Sequence, residues 1–251
     1  MSPVSPPQLT HSVAEGVATV VIDHPAKRNA MTDAMWASLP PLLERLAADP
    51  EVRVLVLTGA GDTFCAGADI STLGEGSAQG LAVAAEDALA AFPKPTLAVV
   101  RGFSVGGGSQ LAAACDLRFA ADDARFGVTP AKLGIVYPAS STRRLAALVG
   151  PATAKYLLFS GELIEAERAL RTGLVDEVLP GDALDKRVAE FTRTLAARSQ
   201  LTQAAAKEFV TGRTDRDAYW AEQARVGGES AEGVAAFLER RAPRFEWTVG
   251  A

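Results

Sequence analysis

Two short runs of this chain, Val52–Thr58 and Thr96–Arg101, are apolar at nearly every position rather than at every second one. Strands of that kind are buried on both faces, which requires a sheet covered on each side by crossover helices. The intervening segments supply the helices. Thr32 offers an N-cap before Met35, Leu39, Leu42, Leu43 and Leu46, which follow helical spacing, and Pro40 and Pro41 are expected to kink or divide that helix. Leu81–Phe92 reads as an alanine-rich helix stopped by Pro93 and Pro95, and another helix begins near Val105. Gly16–Ile22 and Leu117–Ala120 read as further strands, with the turn DHPAKRN closing the first. Strands alternating with helices imply an α/β fold.

The pattern changes near Pro180, after which four helical stretches follow: Asp182–Arg198, Thr202–Val210, Asp215–Arg225 and Ser230–Arg240. The organisation expected is a flexible, proline-stiffened tail over 1–12, a core over 13–195 and a helical region over 196–251. Ser71–Gly80, rich in Gly and Ser, reads as mobile. Phe237 and Leu238 in the last helix suit either the chain's own core or a neighbouring subunit.

Net charge is −5, which argues against a nucleic-acid surface, so an anionic ligand must be held by a local basic cluster. No apolar run is long enough to span a membrane, and the N-terminus lacks a signal-peptide pattern. The two cysteines, Cys65 and Cys115, read as buried reduced thiols with no zinc spacing, as expected for a cytoplasmic protein. His11 and His24 have no matching nucleophile, which disfavours a hydrolase triad.

Two segments place backbone N–H groups just beyond a buried strand: FCAGAD, Phe64–Asp69, and GFSVGGGSQ, Gly102–Gln110. A glycine-rich turn that opens a helix points unpaired donors, and the positive end of the helix dipole, at a ligand. Three glycines alone also suit close helix–strand packing, and no dinucleotide fingerprint is present.

Together these segments resemble the crotonase (enoyl-CoA hydratase/isomerase) family, and the likeness runs from Val17 to Phe245. It is carried by HPAKRNAM, VRVLVLTGAGDTFCAGADI, KPTLAVVRGFSVGGGSQLAAACDLRFA, ARFGVTPAKLGI, LFSGELIEAERALRTGLVDEV and EGVAAFLERRAPRF. The resemblance implies a spiral of ββα units with a C-terminal helical trimerisation region, a homotrimer or a homohexamer built as a dimer of trimers. It also implies an acyl-coenzyme A thioester as substrate, with no permanently bound cofactor and no metal. By the same likeness the N–H groups of Ala68 and Gly107 form an oxyanion hole. Lys27, Arg28 and Ala30 would line the coenzyme A entrance, Ala66, Asp69 and Ile70 the adenine end, and Arg241 or Arg244 would reach phosphates of a neighbouring subunit's ligand.

Removing a proton or a carboxylate beside a thioester leaves an enolate, and each preorganised donor to its oxygen is worth roughly 2.7–4 kcal/mol. Hydratases of the family use two glutamates, which would fall at Gln110 and Ala131. Neither residue titrates near neutral pH. Asp69 and Asp116 read as structural residues beside turns. Decarboxylation of a malonyl-type acyl-CoA needs no base, and a site without acidic side chains would not repel the substrate carboxylate. The stretch FGVTPAKLGIVYP resembles methylmalonyl-CoA decarboxylases of the same family, with Thr129 placed to bond the carboxylate and Tyr137 to orient it or relay a proton. Those enzymes commonly carry a histidine where this chain has Ala68 and an acid where it has Gln110. The preferred expectation is therefore a decarboxylase. The alternatives are a hydratase or isomerase with a non-standard acid–base residue, and a non-catalytic acyl-CoA-binding protein.

Overall fold

The computed structural model describes residues 6–69, 71 and 77–249. The chain opens with strand β1, Gln8–Ala14, which runs antiparallel to β2, Val17–Asp23. Between them Glu15 and Gly16 both take positive φ, 50° and 80°, as a tight type I′ hairpin turn requires. Residues 8–12, expected as tail, thus belong to a paired edge strand, because this hairpin gives their backbone a partner.

Helix α1, Asp33–Ala48, starts at Thr32, whose side chain accepts the Met35 N–H. It runs unbroken through Pro40 and Pro41, contrary to expectation. Its apolar face, Met35, Trp36, Leu39, Leu42, Leu43 and Leu46, is buried, and that packing holds the helix together where two backbone donors are missing. Strand β3, Val54–Gly59, is followed by α2, Ser77–Ala90, and β4, Thr96–Val100. Then come β5, Phe103–Val105, α3, Gly107–Ala114, β6, Leu117–Ala121, and β7, Arg125–Gly127. Helix α4, Ala139–Ser160, bends at Gly150, where φ is +74° just before Pro151. Strand β8, Leu163–Glu165, α5, Ala166–Arg171, β9, Glu177–Leu179, and α6, Gly181–Ala196, complete the core.

The main sheet has the order β1-β2-β3-β4-β6-β9 and is parallel except at β1. A second sheet, β5-β7-β8, stands beside it. The period-2 alternation of each strand divides the core. Leu55, Leu57, Ala98 and Val100 face the larger cluster with α1 to α4, whereas Val56, Leu97, Val99 and Phe119 face Leu184 of α6. Burial on both faces is what the continuous apolar runs anticipated.

Helices α7, Gln200–Val210, α8, Asp217–Gly227, and α9, Glu229–Glu239, follow. Leu201, Ala204 and Trp220 form a small cluster of their own with Trp247. On α9, Phe237 and Leu238 remain 82% and 74% exposed in the single chain. Among the described residues, no helix is long and apolar enough to cross a membrane.

Candidate active site

The loops after β3 and β4 lie side by side. Phe64 N–H donates to Arg101 O, Cys65 N–H to Phe103 O and Val105 N–H to Cys65 O, so the first loop runs as a short parallel partner of β5. That pairing carries Gly67–Ala68 up against Gly106–Gly107. A methyl group built on Gly67 would lie 3.5 Å from the Gly107 nitrogen, and one built on Gly107 would lie 3.7 Å from the Ala68 nitrogen. Gly67, at φ +104°, admits no side chain, because its Cβ would press to 2.9 Å from Val105 O.

The amides at this junction are left over by the geometry. Gly67 O accepts from Met31 N–H and Asp69 N–H donates to Met31 O, so both groups flanking Ala68 are spent on one side of the extended segment. Alternation along that segment turns the Ala68 N–H to the other side. Gly107 is the first residue of α3, where an amide has no intrahelical acceptor. Neither N–H donates to another backbone group among the described residues.

Both turns border a cavity of about 150 Å³. Of the residues singled out from sequence, Ala66, Ala68, Gly107, Gln110, Thr129 and Tyr137 all line it. The Tyr137 hydroxyl and Thr129 Oγ1 converge over Gly106, 3.5 and 3.8 Å from where its Cβ would stand. Burial, reinforced by the charge of Glu86, raises the Tyr137 phenol above its usual range, so it stays protonated. Gln110 contributes an amide whose Nε2 is buried without a partner. Ala131 is an exposed residue of the 3-10 turn Pro130–Lys132 and does not line the cavity.

The HPAKRNAM loop docks on the same junction, Ala66 N–H donating to Arg28 O. Lys27 and Asp69 form an ion pair at 2.7 Å, and Lys27 also donates to Ser71 Oγ at 2.6 Å. The Lys27 hydrogen bond, helped by Ser71, lowers the Asp69 carboxyl to about 2. The Arg28 guanidinium lies 5.2 Å from the centre of the Phe103 ring, and Ala30 is buried. Ile70 lies outside the described residues, as do 72–76 of the stretch read as mobile. Arg241 and Arg244 are elsewhere in this chain, lining a separate hollow in which Arg241 pairs with Glu232. Asp116 accepts from Thr96 N–H, Thr96 Oγ1 and Lys207, a structural role as expected. His24 is likewise a turn residue, bonded through Nδ1 to Ala30 O. Cys65 and Cys115 are buried, and burial pushes both thiols up to about 12.

One carboxyl enters the cavity that the sequence reading placed nowhere near it. Glu86 of α2 is 1% exposed and lines the wall beside Ala82 and Val83. Its Oε2 accepts from Ser141 Oγ at 2.5 Å and lies 3.5 Å from Arg144 Nη1, both on α4. Burial raises this carboxyl to about 7, with Ser141 and Arg144 pulling it down and Asp87 pushing it up. The expectation of a site without an ionisable carboxyl is therefore corrected. A signal was available: Glu86 falls four residues after Ala82 and three before Leu89, on the stripe that faces inward. Trp36, Gln79 and Leu133 also line the cavity and were missed. Among the described residues, no cluster of three His, Cys, Asp or Glu is placed to hold a metal ion.

Comparison with known proteins places the chain in a family. The family model for enoyl-CoA hydratase/isomerase matches residues 12–248. A crotonyl-CoA hydratase of Syntrophomonas wolfei is 35% identical, over 92% of this chain and 95% of that protein. A 2,3-dehydroadipyl-CoA hydratase of Escherichia coli is 34% identical, over 95% and 98% respectively. The crystal structure of an enoyl-CoA hydratase/isomerase family member superposes with a TM-score of 0.92 at 39% identity, covering 98% of this chain and 99% of that one.

Proposed function

The chain belongs to the enoyl-CoA hydratase/isomerase family, and from that premise we propose that it binds an enoyl-CoA and moves protons at the acyl chain through a thioester enolate. The observation that carries this reading is the junction of two amides, Ala68 and Gly107, that donate to no backbone group among the described residues, at the wall of a cavity. Their donors meet a thioester oxygen as it gains charge. The Lys27–Arg28 loop lies at the same junction and supplies positive charge for the coenzyme A phosphates. Thr129 and the protonated Tyr137 serve as neutral hydrogen-bonding groups beside the amides.

Decarboxylation loses its premise. That expectation rests on a site without an acid, whereas Glu86 lines the cavity. An ionised Glu86 would repel a malonyl-type carboxylate brought into so small a space. Proton chemistry of the hydratase or isomerase kind makes use of that carboxyl, and the named relatives are hydratases.

The assembly belongs to the same proposal: a homotrimer or a dimer of trimers, supported by the apolar Phe237 and Leu238 left exposed on α9. Arg241 and Arg244 could meet a ligand only across such an interface. Light scattering that returned a monomer would contradict it.

The test of function incubates pure protein with crotonyl-CoA, a 3-enoyl-CoA and methylmalonyl-CoA, following mass and enoyl absorbance. Gain of water or migration of the double bond is expected. Loss of CO₂ alone, or binding with no turnover on any of the three, would overturn the proposal.

A further inference from the structure

Resting on that reading, we propose that Glu86 is the catalytic acid–base of this site and works alone, carrying one proton between two carbons of the acyl chain, so that the favoured reaction is migration of a 3-enoyl-CoA double bond to the 2-position. The placement of the carboxyl argues for it. Glu86 reaches the cavity from α2, a helix that contributes neither of the two positions where the family's glutamates would fall, Gln110 and Ala131. Its Oε2 is held from behind by Ser141 and Arg144. Oε1 has no hydrogen-bond partner among the described residues and is the carboxyl atom available to a ligand.

One available oxygen favours one kind of proton traffic. Hydration deprotonates a water at one carbon while its neighbour is protonated, work that two carboxyls normally divide. Glu86 is the lone carboxyl among the described residues lining this cavity. Bond migration asks for the two transfers in sequence. Oε1 takes the proton from C2, and the C–H electron pair passes into a dienolate whose negative oxygen lies at the Ala68 and Gly107 amides. The same proton then goes from Oε1 to C4, the C3–C4 double bond becomes a C2–C3 double bond, and Glu86 is a carboxylate again. Nothing is oxidised or reduced and no other reactant is consumed.

The surroundings suit a group that must both take and give. Burial brings the carboxyl to about 7, so both protonation states are populated near neutral pH. Arg144 from α4 stabilises the carboxylate, Asp87 opposes it, and the Tyr137 hydroxyl stays protonated beside it. Gln110 in place of a second acid spares Glu86 a like charge in the same cavity. Ser141 and Arg144 are positioning residues, acting through Glu86.

The experiment follows a 3-enoyl-CoA by absorbance and by NMR in D₂O, with acyl-CoA binding measured calorimetrically on the same samples. Glu86→Gln is expected to lower kcat by roughly 10²–10⁴-fold, with acyl-CoA affinity changed only a few-fold, which also reports that the variant is folded. The wild-type kcat/KM profile should show an inflection near 7, and Ser141→Ala should move it upward, because the lost hydrogen bond favoured the carboxylate. Glu86→Asp should retain part of the rate. Full turnover by Glu86→Gln sinks the proposal alone. Glu86-dependent gain of water with no bond migration overturns the one-proton route. Failure of the wild type to bind any acyl-CoA sinks the underlying reading and this proposal with it.

Discussion

Replacing Glu86 by glutamine removes a charge that the fold holds in a poor place for it, and the consequence should be visible in stability as a function of pH. In the folded chain, burial lifts this carboxyl from an ordinary 4.5 to about 7. An acid whose folded value is raised binds its proton more tightly when folded than when unfolded. Its contribution is therefore complete below about 4.5 and is lost as the pH climbs through about 7. The shift corresponds to about 3 kcal/mol in full, and to about 2–3 kcal/mol between pH 5 and pH 8. Ser141 and Arg144 are already included in that balance, since each opposes the rise without cancelling it. Glutamine keeps the shape and can still accept from Ser141, but it cannot ionise. Urea unfolding of both proteins at fixed concentration, at steps from pH 5 to pH 8, gives the comparison. The wild type should lose about 2–3 kcal/mol more than Glu86→Gln over that range. Parallel curves would show that Glu86 ionises as freely as in solvent, and the reasoning about its burial would fail.

Other perturbations act on the frame. Gly67→Ala forces a Cβ onto a residue at φ +104° and to 2.9 Å from Val105 O, so the two turns must part. Turnover should fall roughly 10²–10³-fold and stability by about 1–3 kcal/mol; unimpaired steady-state rates would contradict the amide pairing. Asn29 is fully buried at φ +58°, accepting from His24 N–H and donating to Ala60 O and Thr63 O. Asn29→Ala should cost about 3 kcal/mol in chemical denaturation, and a loss below about 1 kcal/mol would mean those bonds are replaced by water.

Much of the catalytic frame could be read from residues because backbone geometry leaves a mark in composition. Gly67 is glycine because it holds positive φ with Val105 O pressed against it, Gly106 because its φ is +57°, and Gly108 because a Cβ would meet Cys65 O at 2.2 Å. The doubly buried strands β3 and β4 announced the parallel sheet in the same way. Glu86 was harder. On a helix as alanine-rich as α2, which side faces the core depends on how α1, α3 and α4 pack around it, and local sequence holds only the faint stripe through Ala82 and Leu89. The first strand was missed for a related reason. Gln8–Ala14 has little apolar patterning, and its order comes from backbone bonds to β2 across the Glu15–Gly16 turn. Pro40 and Pro41 misled because local propensity yields to a helix face packed into the core.

The central claim is that the Ala68 and Gly107 amides polarise a thioester carbonyl, and vibrational spectroscopy observes that bond itself. With acyl-CoA labelled with ¹³C at the carbonyl, isotope-edited infrared difference spectra should show the bound C=O stretch shifted to lower frequency, with much of the shift lost in Gly67→Ala. A bound carbonyl stretching at the frequency it has free in water would contradict the account.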